Sequence, residues 1–485
     1  MSGHAALLLP TLRWDAEGGF EKLRDGIEDA IELGVGGFLI SGGPRADVAR
    51  LTDELRRRSA LPLLLAADVE RGAGQQFDGC LGLPPLSALA SANDADQLRR
   101  AARITAGELK QLGCNWALAP VCDLDLEPGN AIVGTRGAGS DAARAGAFVA
   151  EWIDACQAEG VLACAKHFPG HGRAMEDSHL TLPSVLAPAD RLHHDDLQPF
   201  IAAIDAGVAS VMTAHVAYPA LDPSGAPATL SGPILTQLLR HELAFDGLVV
   251  SNALDMQGLL THGAELSNAV RAIAAGCDLL LGVRDLTGVA RALERAEQTG
   301  VLAAERVRAA RERRQRWSLW GAASSARETT LDDTMWARRC ADRSVHLLRG
   351  VQPQLGHSVE LVEVDDDAGG AWPVTNRAHF TRVLRELEVE VWGVTQPSRD
   401  SRVPVLIAAY ADVVAWKGTA GFSAASCAFV ARTIALAELD HRTALVVLFA
   451  HPRYAAQFPS ARTVLCAWGG EAPSQVAAAR ALALP

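Results

Sequence analysis

Short apolar runs alternate with long amphipathic stretches through the first part of this chain of 485 residues, and that alternation restricts its fold more than any other feature. The runs are AALLLP (5–10), GFLIS (37–41), LLLAAD (63–68), CNWALAP (114–120), LACAKH (162–167), SVMTAH (210–215), LVVSN (248–252) and DLLLG (278–282). Between most of them lie stretches of helical periodicity, at 16–33, 95–112, 141–158, 188–206 and 264–275. A run that is apolar at consecutive positions reads as a strand buried on both faces, the pattern of parallel strands covered by crossover helices. Eight such units match the size of a closed (β/α)8 barrel of roughly 250 residues, with a doubly wound open sheet as the alternative.

Helical segments at 286–299 and 303–317 follow, then a small, polar stretch at 318–331 that reads as a linker. A second α/β pattern comes after it, with candidate strands SVELVEV (358–364), VEVWGV (389–394), VPVLIAA (403–409), ALVVLFA (444–450) and TVLCAW (463–468). The expected domains are therefore 1–317 and 332–485. Nine cysteines are scattered without a C-x-x-C, mostly among apolar neighbours, which is the pattern of reduced core thiols in a cytoplasmic protein. No apolar run approaches the ~20 residues of a membrane span. The opening residues carry neither the basic region nor the cleavage pattern of a secretory signal. A net charge of −12 disfavours non-specific binding to nucleic acid.

In a barrel of this kind, chemistry gathers at the carboxyl ends of the strands. The polar residues that close the runs are the candidates: Asp68, Lys166 with His167, His215, and Asn252. After Lys166-His167 the segment PGHG forms a loop whose glycines accept conformations other residues avoid, and which reads as hinged. The loop then carries Asp177 and His179. A carboxylate beside an imidazole fixes its tautomer and raises its pKa, making a general acid near neutral pH. A solvated loop with a chance Asp-x-His is the plainer alternative. His171 reads as a loop-closing residue. Asp123 and Asp125, at alternate positions of VCDLDLEPGN, read as ordering the loop after the fourth strand rather than as metal ligands.

KHFPGHG (166–172) followed by DSH (177–179) resembles the β-N-acetylglucosaminidase branch of glycoside hydrolase family 3. VGTRGAGSD (133–141), VMTAHVAYP (211–219), VVSNALDM (249–256) and AGCDLLL (275–281) are similar to further blocks of that family, in its order. The likeness spans the first domain, and the second resembles the family's α/β sandwich. The resemblance implies a TIM-like (β/α)8 barrel followed by a smaller sandwich. It implies an exo-acting, retaining enzyme that releases terminal N-acetylglucosamine from peptidoglycan fragments or chito-oligosaccharides, without metal or organic cofactor. It also implies sugar contacts from Asp68, Arg136, Lys166 and His167, with His215 as a further pocket residue. His179 would be the general acid/base, oriented by Asp177. Family members acting on glucosides typically draw a carboxylic acid from the second domain instead.

Two positions depart from the family pattern. Its nucleophile is the aspartate after the Ser or Thr that ends strand seven, and here that position is Asn252. A neutral amide attacks C1 poorly and stabilises an oxocarbenium-like transition state less than a carboxylate does, so a loss of several orders of magnitude is expected. Three readings of Asn252 stand: an Asp-to-Asn exchange made to trap substrate, a sugar-binding protein that has lost hydrolysis, or attack by the substrate's acetamido group or by Asp255. A phosphorylase is a further alternative, because a histidine acid/base does not repel phosphate. In DVERGAGQQ (68–76), Asp68 and Glu70 keep the pattern, while Gln76 stands where the family has an arginine. The expectation is thus a β-N-acetylglucosaminidase impaired at position 252.

Overall fold

The computed structural model describes residues 3–178, 180–320, 327–351, 355–367, 376–399, 402–413 and 417–483. The chain forms two compact units. The first is Met1–Leu81, Ala95–Glu127 and Gly137–Thr330, and the second is Gly82–Asp94, Pro128–Arg136 and Leu331–Pro485. Two short segments expected in the first domain therefore belong to the second unit. Ala88 of the helix Leu86–Ser91 packs with Cys466 and Trp468 of the second unit, and Ser87 Oγ donates to the Thr135 carbonyl at 3.0 Å, which joins the two segments to each other.

The strands of the first unit are β1 (Leu8–Leu9), β2 (Thr11–Arg13), β3 (Gly37–Ser41), β4 (Leu64–Ala67), β5 (Trp116–Ala117), β6 (Cys164–Phe168), β7 (Ser210–Thr213), β8 (Leu248–Val250) and β9 (Leu280–Leu281). Their pairings are all parallel, in the orders β2-β3-β4-β5, β6-β7-β8 and β1-β9. Parallel bridges Trp116–Leu162 and Val250–Leu279 link β5 towards β6 and β8 towards β9. The N–H groups of Gly36 and Leu39 donate to the carbonyls of Leu8 and Pro10, which ties β1 and β2 to the same neighbour. All eight expected runs contain strand. The first differs in detail: Ala5–Leu7 form a helical turn, and the strand resumes after Pro10 as far as Arg13.

Alternate strand residues enter two different cores, which is why the runs are apolar at every position. Leu65, Ala67, Ala165, Val211 and Val249 join a core shared with the helices. Leu9, Leu39, Ala66, Trp116, Cys164, Met212, Val250 and Leu281 join an inner cluster drawn from all three parallel sheets of the unit.

In the second unit, β10 (His346–Arg349), β11 (Ser358–Asp365), β12 (Glu390–Gly393), β13 (Val405–Ala411), β14 (Ala444–Ala450) and β15 (Thr463–Cys466) form one sheet in the order β10-β15-β14-β13-β11-β12. Only β10 is antiparallel to its neighbour. It was not expected, because a short, part-exposed edge strand carries no apolar run. The helices Ala378–Glu386 and Ala472–Ala483 pack on one face and Ala424–Leu439 on the other. The helix Ala304–Leu319 extends into the expected linker, and residues 321–326 of that linker lie outside the described residues. Among the described residues, no helix is long and apolar enough to cross a membrane.

Candidate active site

Parallel strands bring their carboxyl ends to one side, and the two-residue strand period says which side chains leave on the inner face. Ala66 leads to Asp68, Cys164 to Lys166, and Val250 to Asn252, so these three follow inner-cluster residues. Lys166 is only 2% exposed, and its Nζ lies 2.8 Å from Asp68 Oδ1 and 2.6 Å from Glu70 Oε1. The two carboxylates differ. Glu70 is 7% exposed and anchors the ammonium from within, whereas Asp68 is 39% exposed and keeps an accessible face. A buried cation is tolerated because it is doubly paired.

Beside Lys166, Asp123 organises the two neighbouring histidines. Its Oδ1 accepts from the backbone N–H of His167 at 3.1 Å and of His171 at 2.6 Å, and its Oδ2 lies 2.7 Å from His167 Nδ1. Burial pushes this carboxyl up, but the charge and hydrogen bonds of His167, with those of His171, outweigh it and hold the group below the usual range. An ionised carboxylate only accepts, so the hydrogen of His167 stands on Nδ1. Asp123 was expected to order its own loop; it orders the loop after β6 instead.

That loop is held at several points. His171 Nε2 lies 3.0 Å from Ser178 Oγ, Tyr218 Oη donates to the Gly170 carbonyl at 2.8 Å, and Arg173 donates to Asp196 at 2.8 Å and Asp195 at 2.6 Å. Gly170 has φ +130°, and a Cβ on Gly172 would stand 1.9 Å from the Leu124 carbonyl oxygen. These two glycines answer to backbone conformation and close packing. Asp177 is buried, and its carbonyl accepts from the N–H groups of Leu180 and Thr181. His179 lies outside the described residues.

His215 lies in a bend two residues past the end of β7, where the strand alternation has already lapsed: Met212 joins the strand cluster, but Ala214 joins the core shared with the helices. It is fully buried, with Nδ1 2.7 Å from Thr229 Oγ1 and Nε2 2.9 Å from the Ala253 carbonyl oxygen. Both nitrogens are engaged by the protein, and one of these contacts is beside position 252. Asn252 is partly exposed, and its Oδ1 accepts from the Ala253 N–H at 2.9 Å. Arg136, expected among these residues, belongs to the second unit, where its Nη1 donates to the Ile132 carbonyl at 2.9 Å.

One charged strand-end residue escaped the sequence reading. Arg13 ends β2 in register with Ser41 of β3. Partial burial lowers its pKa, and the charges of Asp255 and Asp68 draw it back up, so the guanidinium stands in the field of both carboxylates. Asp255 is also paired with Arg284 at 3.1 Å. The signal was present: Leu9, Thr11 and Arg13 share one strand period, but Pro10 hid the continuation.

Residues 27–316 match the family model described as glycosyl hydrolase family 3 N terminal domain. The chain belongs to glycosyl hydrolase family 3. This family 3 chain is 38% identical over 285 residues to a beta-N-acetylglucosaminidase/beta-glucosidase of Cellulomonas fimi, covering 57% of the chain and 50% of the relative. It is 38% identical over 238 residues to a beta-hexosaminidase of Chromobacterium violaceum, covering 48% of the chain and 66% of that relative. The matched region thus spans between half and two thirds of these two curated relatives. Among solved structures, the family 3 beta-N-acetylglucosaminidase of Paenibacillus sp. str. FPU-7 superposes with a TM-score of 0.86 at 28% identity, covering 99% of this chain and 95% of that one. A beta-glucoside phosphorylase shares the fold, with a TM-score of 0.85 at 20% identity and coverage of 98% and 90%.

Proposed function

We propose that this family 3 chain is of the exo-acting, retaining β-N-acetylglucosaminidase type, binding one terminal N-acetylglucosamine at the carboxyl ends of the first unit's strands and impaired in turnover by Asn252. The observation that carries the proposal is the buried Lys166 between Asp68 and Glu70, with Asn252 following the same inner face. A cation flanked by carboxylates suits the neighbouring hydroxyls of a sugar, since a carboxylate accepts from them and an ammonium donates to them. The first unit as a (β/α)8 barrel is supported by the parallel pairing and by the inner cluster drawn from all three of its parallel sheets. The N-acetylglucosamine preference is supported by the names of the relatives, a beta-N-acetylglucosaminidase/beta-glucosidase, a beta-hexosaminidase and a beta-N-acetylglucosaminidase. A cytoplasmic setting, with muropeptides or chito-oligosaccharides as substrates, is in keeping with nine thiols and no disulfide among the described residues.

The parent reaction is double displacement. Protonated His179, oriented by Asp177, donates to the leaving oxygen while a carboxylate at position 252 attacks C1. The neutral imidazole then takes a proton from water, which releases the sugar. These two roles rest on the resemblance of the DSH segment. With Asn252 in place, the side-chain oxygen is held by the Ala253 N–H and the nitrogen has no lone pair to offer, so binding outlasts turnover. The test is hydrolysis of a chromogenic β-N-acetylglucosaminide by this chain and by Asn252→Asp. The aspartate form is expected to be faster by about 10³-fold or more. Equal rates would move the nucleophile elsewhere. Sugar binding without turnover in both forms would leave a binding protein, and release of sugar 1-phosphate in phosphate buffer would identify a phosphorylase.

A further inference from the structure

The turn that carries position 252 is clamped from both neighbouring strands. On the β9 side, Ser251 N–H donates to the Leu279 carbonyl at 3.0 Å, Leu281 N–H donates to Ser251 Oγ at 3.0 Å, and Leu254 N–H donates to the Leu281 carbonyl at 2.9 Å. On the β7 side the clamp is His215, whose Nε2 lies 2.9 Å from the Ala253 carbonyl oxygen. We propose that His215 is a positioning residue for position 252: by holding the Ala253 carbonyl it orients the adjacent peptide whose N–H grips the side-chain oxygen of residue 252. The proposal rests on the reading of position 252 as the reaction centre.

The chemistry of the partners fixes the direction of each bond. A carbonyl oxygen only accepts, so Nε2 must carry a hydrogen. On the other side of the ring, Nδ1 lies 2.7 Å from Thr229 Oγ1, which is itself 2.7 Å from Thr213 Oγ1 and 3.1 Å from the Ala214 carbonyl. Whichever way the hydroxyl hydrogens point, Nε2 keeps its own. Thr213 ends β7 and His215 lies in the bend just past it, so this chain of bonds ties the end of β7 to Thr229 on one side and to the turn of position 252 on the other. The Ala253 N–H then donates to Oδ1 of residue 252 at 2.9 Å. A carboxylate in that place would receive the same donor, which lowers its pKa and fixes one oxygen. Since both ring nitrogens of His215 bond to protein, a sugar contact would require breaking one of these bonds.

The experiment compares His215→Phe and His215→Gln in the Asn252→Asp background. Phenylalanine removes the donor and keeps the bulk, and glutamine restores an N–H. Positioning predicts that kcat falls by about 10²-fold in the phenylalanine variant, the loss expected of a misplaced group. KM stays within about twofold, and glutamine recovers part of kcat. A raised KM with kcat retained would make His215 a sugar contact and overturn the proposal, as would a phenylalanine variant that matches its parent. If Asn252→Asp proves inactive, the function proposed above fails separately, and the carboxyl carbon of residue 252 is titrated by 13C NMR instead. Its pKa is then expected to rise in His215→Phe, with N-acetylglucosamine affinity by calorimetry unchanged. An unmoved titration overturns the positioning role.

Discussion

Lys166 holds its ammonium between two carboxylates of unequal exposure, and the inequality divides their work. Glu70→Gln removes the charge nearest the buried cation and is expected to lower the unfolding free energy by about 1–3 kcal/mol, with weaker binding of N-acetylglucosamine. Asp68→Asn is expected to weaken binding with little loss of stability, because Asp68 remains in contact with solvent. Thermal unfolding and calorimetric titration of both variants check this, and equal stability losses would contradict the division. Asp196 gives a pH prediction. Burial pushes its carboxyl up to about 6, against the hydrogen bond and charge of Arg173. A raised folded-state pKa means the folded protein holds the proton more tightly than the unfolded chain. The stabilisation is therefore complete below about pH 4, near the unfolded carboxyl's pKa, and is lost as pH rises through 6. Asp196→Asn is expected to flatten the fall in Tm between pH 4 and 7, as scanning fluorimetry would show. Asp68, Lys166 and Asn252 were legible because a polar residue closing an apolar run stands out. Asp123 was visible as a residue, but its partner His167 is 44 positions away and no local pattern joins them. His215 was visible as a residue closing a run, but its partners Thr229 and Ala253 are 14 and 38 positions away and no local pattern joins them.

At the scale of elements, continuous apolar runs proved a reliable sign of buried parallel strands, and the failures have physical causes. Pro10, lacking an N–H, broke one run and concealed Arg13. The edge strand β10 needs no apolar pattern because it is only partly covered. In the loop after β6 the close approach at Gly172 was not legible, since a sequence does not show what a missing Cβ makes room for. Gly172→Ala would drive a methyl group against the Leu124 backbone, and is expected to lower stability by about 1–3 kcal/mol or more. Gly139, with φ +116° and nothing within 4 Å of a built Cβ, is the control. Gly139→Ala carries only the conformational penalty, of order 1 kcal/mol. Chemical denaturation of the two variants separates packing from backbone strain.

For the molecule as a whole, the two ends of the first unit's strands carry different duties. Just before β9, at the amino ends, Asp278 is fully buried and pairs with Arg240 at 2.5 Å, Arg306 at 2.6 Å and Arg313 at 3.4 Å. Burial pulls the Arg240 guanidinium down to about 10 even with that carboxylate beside it. Asp278→Asn would leave three cations facing one another, and a destabilisation of about 3–5 kcal/mol is expected, read by calorimetry, with sugar affinity unchanged. The threading of the chain has a different consequence. It passes between the two units five times, at 81/82, 94/95, 127/128, 136/137 and 330/331. The units are therefore interleaved along the sequence rather than strung in series. A cut in the linker would leave the first piece carrying the helix Leu86–Ser91 without the unit it belongs to, and the second piece short of two of its own segments. Such a pair cannot be traded separately like beads, because neither unit is one continuous stretch of chain.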